Sequence, residues 1–279
     1  MGLFDTAEAR LVDLESRVAA LEAGTATPPV DPPVDSPPIV LATGQTVERT
    51  RIWPAAYTES AIGVRGLGVS DVTLRGVDIG NCGYGLKVGS GALTERLTVE
   101  DFTARDCAQP VLLANLHEAA FSRVTLEAPR YPTNQWHGMY IERDVQDVTF
   151  SDLHISGGSG YCLQLYYGSA TVCTNLVFED VILDARTGRY PLIISNGFSN
   201  ITFRRCTLLM PTSSDGVCVR LYSPTNILIE DFTAEGGLAL VGTITGGNPQ
   251  ATFRNGTYKG PALKQQTMAN VVMDNVTRL

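Results

Sequence analysis

The sequence predicts an all-β fold, a solenoid of about nine stacked coils of parallel strands, over about residues 60–279. Stretches of alternating apolar and polar residues recur every 20–29 residues from Asp71 onward, without helical periodicity between them. A turn residue, often Asn or Asp, precedes each stretch. Glycine occurs 27 times, and the apolar residues are mostly Val, Ile, Leu and Phe, as expected for short strands separated by turns.

The repeat aligns equivalent positions of successive coils. The first inward position is occupied by Val72, Leu97, Ala119, Val148, Leu176, Ile201, Ile227, Ala251 and Val271. Two residues further on, Phe121, Phe150, Phe178 and Phe203 follow one another in four successive coils. Because equivalent positions stack in a solenoid, the sequence predicts a ladder of phenylalanines in the interior.

Composition excludes several classes of partner. The net charge of −8 argues against nucleic acid and anionic membranes as main partners. No run approaches the ~18 apolar residues of a membrane span, and Asp5, Glu8 and Arg10 interrupt any signal-peptide core. The six cysteines show no metal-ligand spacing, so we expect buried thiols, a reducing site of folding, no metal and no cofactor.

Residues 1–24 show a heptad pattern that predicts a trimeric coiled coil. Apolar residues spaced alternately 3 and 4 apart are Phe4, Ala7, Leu11, Leu14, Val18 and Leu21. The segments Arg10-Leu11-x-x-Leu14-Glu15 and Arg17-Val18-x-x-Leu21-Glu22 resemble the signature of trimeric coiled coils, in which Arg and Glu pair between chains. The alternative is a single amphipathic helix docked on another protein.

Two segments separate this helix from the solenoid. Residues 25–38 contain TPPVDPPVDSPP and predict a semi-rigid polyproline II spacer of ~3.1 Å per residue. Residues 39–59 become apolar again and are expected to form a cap at the first coil, so that the β-helix itself covers 60–279.

Paired carboxylates in the repeat suggest a glycosidase, but their periodicity favours a structural role. The pairs are Glu100-Asp101, Glu179-Asp180 and Glu230-Asp231. Arginine occupies the equivalent positions of neighbouring coils at Arg75, Arg204 and Arg254. Opposite charges on adjacent coils predict a cross-strand ladder of ion pairs.

The second strand of each coil carries an irregular, aromatic-rich outer face. The alignment makes Val217-Cys218-Val219 equivalent to Leu192-Ile193-Ile194, and an insertion over 127–137 enters this face as a loop. The candidate ligand-binding residues are Tyr131, Trp136, His137, Tyr140, Glu142, Gln164, Tyr166, Arg220 and Tyr222. Aromatic side chains pack on sugar rings and polar ones bind hydroxyls. Packing between subunits and plain surface remain alternatives.

The residues of this outer face do not by themselves predict an enzyme. The candidates are Glu142, His137 and Asp215. Glycosidases use two carboxyl groups roughly 5 to 9.5 Å apart, whereas Glu142 is flanked in neighbouring coils by Ala114 and Tyr166. Asp215 is three coils from His137 in this alignment, too far for direct coupling at ~4.8 Å per coil. An enzyme on this face would be a polysaccharide lyase or a glycoside hydrolase.

The repeat over about 60–279 resembles the right-handed β-helices of the pectin-lyase-like superfamily and of bacteriophage tailspikes. This resemblance implies a right-handed solenoid but no particular activity, because the fold carries lyases, hydrolases and inert fibres. The paired Asp, Gly-His-Gly and Arg-x-Lys signatures of pectin hydrolases are absent from the sequence.

Together with the coiled coil, the spacer and the lack of a signal peptide, the repeat resembles a tailspike or tail-fibre subunit. That resemblance implies a homotrimer assembled in the host cytoplasm, incorporated into a virion and joined to other virion proteins by its N-terminal region. Its expected function is host attachment through a cell-surface polysaccharide. The alternatives are a polysaccharide depolymerase and a purely structural spike.

Overall fold

The computed structural model describes residues 34–89, 91–128, 136–166, 172–211, 216–243 and 247–279. The predicted coiled coil at 1–24, with all its trimerisation residues, lies outside the described residues, as do Tyr131 and Asp215. The described part of the chain is all-β: it contains 22 strands and no helix. Accordingly, none of its segments is a helix long and apolar enough to span a bilayer.

The strands are β1 (Val34–Asp35), β2 (Ile39–Val40), β3 (Thr46–Ile52), β4 (Ile62–Gly66), β5 (Ser70–Gly80), β6 (Tyr84–Val88), β7 (Thr94–Arg105), β8 (Gln109–Leu113), β9 (Leu116–Ala128), β10 (Met139–Ile141), β11 (Val145–Gly157), β12 (Tyr161–Leu165), β13 (Cys173–Asp184), β14 (Tyr190–Ile194), β15 (Phe198–Arg204), β16 (Thr207–Leu209), β17 (Val217–Leu221), β18 (Thr225–Glu230), β19 (Thr233–Glu235), β20 (Ala239–Thr243), β21 (Ala251–Lys259) and β22 (Val271–Arg278).

The strands form two parallel sheets that the chain visits in turn. The long-strand sheet has the order β1-β3-β5-β7-β9-β11-β13-β15-β18-β21, with β22 beside β21 and with β16 and β19 continuing the rungs of β15 and β18. The short-strand sheet has the order β2-β4-β6-β8-β10-β12-β14-β17-β20. Within the described ranges, eight turns, from β3 with β4 to β18–β19 with β20, contain strands of at least three residues in both sheets; the two-residue strands β1 and β2 precede them, and β21 and β22 follow. This is a parallel β-helix.

Left-handed residues five positions apart shape the long-strand segments of the turns from β5 to β18. In β13 they are Asn175, with φ of 57°, and Asp180, with φ of 54°. The second one shifts the alternation of side chains by one residue, so that Phe178 and Val181 both point into the core. Asn and Asp adopt this conformation at low cost because their short side chains bond locally, which explains their recurrence in the repeat.

The interior follows the predicted stacking. Val148 pairs with Leu176, which pairs in turn with Ile201. The predicted phenylalanine ladder is confirmed: ring centroids lie 4.9, 4.5 and 4.5 Å apart in the stacked pairs Phe121–Phe150, Phe150–Phe178 and Phe178–Phe203.

All six cysteines are buried and unpaired, as predicted. Burial raises the pKa of Cys218 to about 12 and that of Cys173 to about 11. Because the thiolate is the reactive form, these side chains behave as small apolar groups.

The charge ladder on the outer side of the long-strand sheet is also confirmed. Arg75 lies 3.5 Å from Glu48 and 2.8 Å from Glu100, one turn to either side. Arg204 bridges Glu179 and Glu230 in the same way, at 3.2 and 2.8 Å. Each exposed pair contributes only about 0.2–1 kcal/mol to the free energy of unfolding. The pairing nevertheless gives these carboxylates a structural role.

Solenoid pairing extends N-terminal of the predicted boundary at residue 60. In the segment predicted as a cap, β3 pairs with β5 in register from Thr46 with Thr73 to Ile52 with Ile79. At the end of the predicted spacer, β1 pairs with β3. The apolar pattern is weak here because Thr50 occupies a buried position, where its hydroxyl donates to the carbonyl of Glu48 at 2.9 Å.

Candidate functional site

The candidate site is the short-strand face, defined as the outward side chains of β6, β8, β10, β12, β14 and β17 with the residues that flank these strands. Backbone pairing places one central residue of each turn beside the next. This central column is Lys87, Leu112, Tyr140, Gln164, Ile193 and Arg220. A second column lies three residues earlier in each turn and consists of Tyr84, Gln109, His137, Tyr161 and Tyr190. It is predominantly aromatic.

One predicted register is wrong. Leu192 pairs with Val219, not with Val217, so β17 is displaced by two residues from the sequence alignment. Arg220 therefore stands in the central column beside Ile193, and Tyr222 takes the position beside Ser195, where its backbone N–H donates to the carbonyl of Ile194 at 2.9 Å.

Trp136 and Tyr84 form an aromatic pair at one end of the face. Their ring centroids lie 5.8 Å apart in an edge-to-face arrangement, although the residues are two turns apart. The backbone N–H of Trp136 donates to Ser159 Oγ at 3.0 Å, and Lys87 Nζ lies 4.3 Å from the centre of the Tyr84 ring. The indole is half-buried, so part of it remains available to a ligand.

His137 is a buried organising residue at the centre of the face. Its Nδ1 accepts a hydrogen bond from the backbone N–H of Tyr161 at 3.0 Å. Gln109 Nε2 donates to the His137 carbonyl at 2.8 Å. Burial lowers the pKa of His137 to about 4. The imidazole is therefore neutral near pH 7, and its occupied Nδ1 is not placed to act as a general base.

This burial predicts a pH dependence of stability. The pKa of His137 is near 6.5 without burial and about 4 in the fold, so the unfolded chain binds the proton first. The free energy of unfolding therefore falls as the pH drops from about 6.5 towards 4. Between pH 7 and pH 5 the loss is about 2 kcal/mol. Urea unfolding at the two pH values should show a smaller loss for His137→Gln than for wild type. His117→Gln, a half-exposed histidine on the long-strand sheet, is the control; equal losses in wild type and His137→Gln would contradict this assignment.

A second aromatic group lies at the other end of the face. The rings of Tyr161 and Tyr190 are 5.2 Å apart. Arg220 Nη1 donates to the Tyr161 hydroxyl at 3.1 Å, and the Arg220 guanidinium lies 4.8 Å from the centre of the Tyr190 ring. The Arg189 guanidinium lies 5.0 Å from the same ring. Burial is the main cause of the raised pKa of Tyr161, partly opposed by Arg220.

The remaining predicted residues lie on the same face. Backbone N–H groups of Glu142 and Tyr166 donate to the turn before, to Leu113 at 2.8 Å and Ile141 at 3.2 Å. Glu142 and Gln164 are half-buried, and Tyr166 is 37% exposed. In the column of Glu142 the neighbours are Ala114 and Tyr166, which supply no second carboxylate. Elsewhere too, the described residues contain no cluster of three or more potential metal ligands.

Sequence reasoning did not assign Tyr84, Tyr161, Arg189 and Tyr190 to the site. The sequence does contain a pattern that could have identified the three tyrosines, because they occupy equivalent positions three residues before the central column. Arg189 had no such signal, since its contact with the tyrosine ring depends on side-chain conformation.

Comparisons with solved structures settle the fold. The periplasmic alginate epimerase AlgG superposes with a TM-score of 0.63 at 12% identity over 87% of this chain and 62% of its own. The polygalacturonase from Erwinia carotovora ssp. carotovora gives 0.57 at 12% identity over 88% and 82%. The chain has the right-handed parallel β-helix fold of pectin-lyase-like proteins.

These two proteins are named as an alginate epimerase and a polygalacturonase, but at this identity the likeness concerns the fold alone. The chain spans less than two thirds of the epimerase's length. No protein-family model matches the sequence, and no curated protein is detectably similar to it.

Proposed function

We propose that the protein binds a cell-surface polysaccharide of its host through the short-strand face, as a virion attachment protein of the tailspike or tail-fibre type. The observation that carries the proposal is the aromatic column on this face. It joins the Trp136–Tyr84 pair to the Tyr161–Tyr190 pair, with His137 between them.

The chemistry of this face suits sugars. A pyranose presents an apolar surface that packs on an aromatic ring and a polar rim that needs hydrogen bonds. Gln164, Glu142 and Arg220 supply donors and acceptors beside the rings. Six strands at ~4.8 Å spacing give a surface about 24 Å long, which accommodates several consecutive sugars of a polymer.

The heptad at 1–24 supports a trimeric assembly of such faces. Three weak sites on one particle component gain avidity, because after the first contact the others bind at high effective concentration. The same N-terminal region would join the trimer to other virion proteins. These parts of the proposal depend on the sequence pattern.

A polysaccharide depolymerase of the same shape is the second candidate. The half-buried Glu142, adjacent to Tyr166 on the face, is the described carboxylate best placed to contact a bound sugar. Glycoside hydrolysis by the usual mechanisms needs a second carboxyl group, which on this face would have to come from another segment or subunit.

A panel of bacterial surface polysaccharides tests the proposal. Each polymer is incubated with immobilised protein, and both the retained and the soluble material are sized by mass spectrometry. We expect at least one polymer to be retained intact. Release of defined oligosaccharides would instead show a depolymerase, and Glu142→Gln would report whether that carboxylate takes part. Retention of no polymer would overturn the proposal in favour of a structural spike.

A further inference from the structure

Two arginines on the short-strand face differ from those of the charge ladder. On the long-strand sheet, Arg75 and Arg204 each lie between two carboxylates. Among the described residues, no carboxylate lies within 4.0 Å of the guanidinium groups of Arg189 or Arg220. Both groups instead lie over the ring of Tyr190, at 5.0 and 4.8 Å. In a chain with a net charge of −8, two cations over one tyrosine ring are unexpected when none of the described carboxylates lies at ion-pair distance from either.

The position of the two guanidinium groups over the Tyr190 ring leaves N–H donors available to a ligand. Stacking on an aromatic ring uses the face of a guanidinium and leaves its N–H edge free. Arg220 has five N–H donors, of which its Nη1 group is engaged by the Tyr161 hydroxyl. Arg220 is half-buried and Arg189 is exposed, so one cation is held firmly and the other borders solvent. Tyr190, only 9% exposed, fixes the position of both.

We infer that Arg189 and Arg220 form a subsite for an anionic substituent, carboxylate, sulfate or phosphate, of an acidic glycan. Planar guanidinium groups bind such groups through paired, charge-assisted hydrogen bonds. The inference rests on the proposed glycan binding and adds that the polymer is acidic. The sugar that carries the anion lies beside Tyr161, while the Trp136–Tyr84 end of the face contacts the rest of the chain without needing charge.

Binding to polymers of defined charge tests this subsite. The probes are polygalacturonate, its carboxyl-reduced neutral form, dextran sulfate, dextran and a glycerol-phosphate teichoic acid, measured by affinity electrophoresis at about 0.15 M salt. We expect binding to at least one anionic probe and not to the neutral polymers. Arg189→Gln and Arg220→Gln should each weaken it about ten-fold or more. Arg220→Lys, which keeps the charge but loses the planar fork, should recover only part of the affinity.

Arg96→Gln is the matched control, because it makes the same change in net charge at an exposed residue of the long-strand sheet. Equal thermal unfolding of all variants verifies that the fold is unchanged. The subsite is refuted if no anionic probe binds, if the carboxyl-reduced polymer binds as well as its parent, or if both glutamine variants bind like wild type. Retention of a neutral polymer in the wider panel would then leave the proposed glycan binding standing; retention of none would remove both.

Discussion

Replacing Phe178 with alanine is expected to lower the free energy of unfolding by about 3–5 kcal/mol, the usual range for truncating a buried phenylalanine. The ring is fully buried and stacks 4.5 Å from both Phe150 and Phe203. Its loss leaves a cavity in the middle of the ladder and removes contacts to two turns at once. Since each turn of a solenoid is stabilised by its neighbours, the surrounding turns should also loosen. Urea unfolding followed by circular dichroism measures the change.

Phe178→Leu provides the control for this experiment. Leucine keeps the position apolar and most of it filled, so a considerably smaller loss than for alanine is expected. A loss below about 1 kcal/mol for Phe178→Ala would contradict the central place given to the ladder.

Replacing Trp136 with alanine is expected to weaken polysaccharide retention about ten- to a hundred-fold, equivalent to roughly 1.4–2.8 kcal/mol of binding free energy. The half-buried indole is the largest aromatic side chain among the described residues of the short-strand face, and its edge contact with Tyr84 fixes its orientation. Removing it takes away both a packing surface and a neighbour that positions the tyrosine. Retention of the polymer found in the panel is the measurement.

Trp53→Ala is the matched control, because it removes the chain's other tryptophan. That side chain follows β3, packs against Gly80 at the end of β5 and lies 5.1 Å from the Arg51 guanidinium, so it is not among the residues that define the short-strand face. We expect it to leave retention unchanged. Equal effects of the two substitutions, or none from either, would place the binding surface elsewhere on the molecule.

The fold was largely predictable because its signal is repeated. Nine equivalent apolar positions, from Val72 to Val271, established register along the long-strand sheet, and each repeat corroborated the others. The same redundancy identified the ladder of Arg75 with Glu100 as structural before the distance of 2.8 Å confirmed it.

The errors arose where the pattern carries less information. A shift of two residues in a strand leaves every side chain on the same face, so the apolar inward residues of Val217-Cys218-Val219 and of Val219-Arg220-Leu221 fit either register. Backbone pairing resolves this ambiguity and moves Arg220 to the central column. The turn of β3 and β4 was not predicted as part of the solenoid, because Thr50, a polar residue whose hydroxyl is hydrogen-bonded, occupies a buried position of β3.

The candidate site was predictable as a face but not as a set of contacts. Tyr140, Gln164 and Tyr166 follow from the strand pattern. The neutral state of His137 depends on burial and on the N–H of Tyr161. The convergence of Arg189 and Arg220 on Tyr190 depends on side chains from different turns, whose conformations the repeat does not specify.

Fluorescence of Trp136 during titration with a retained polysaccharide tests the central claim most directly. The chain contains two tryptophans, so in a Trp53→Phe variant Trp136 is the only one that emits. If the short-strand face binds the polymer, its emission should shift and saturate over the concentration range in which retention saturates. Unchanged emission while the polymer is demonstrably bound would contradict the account and assign binding to another surface.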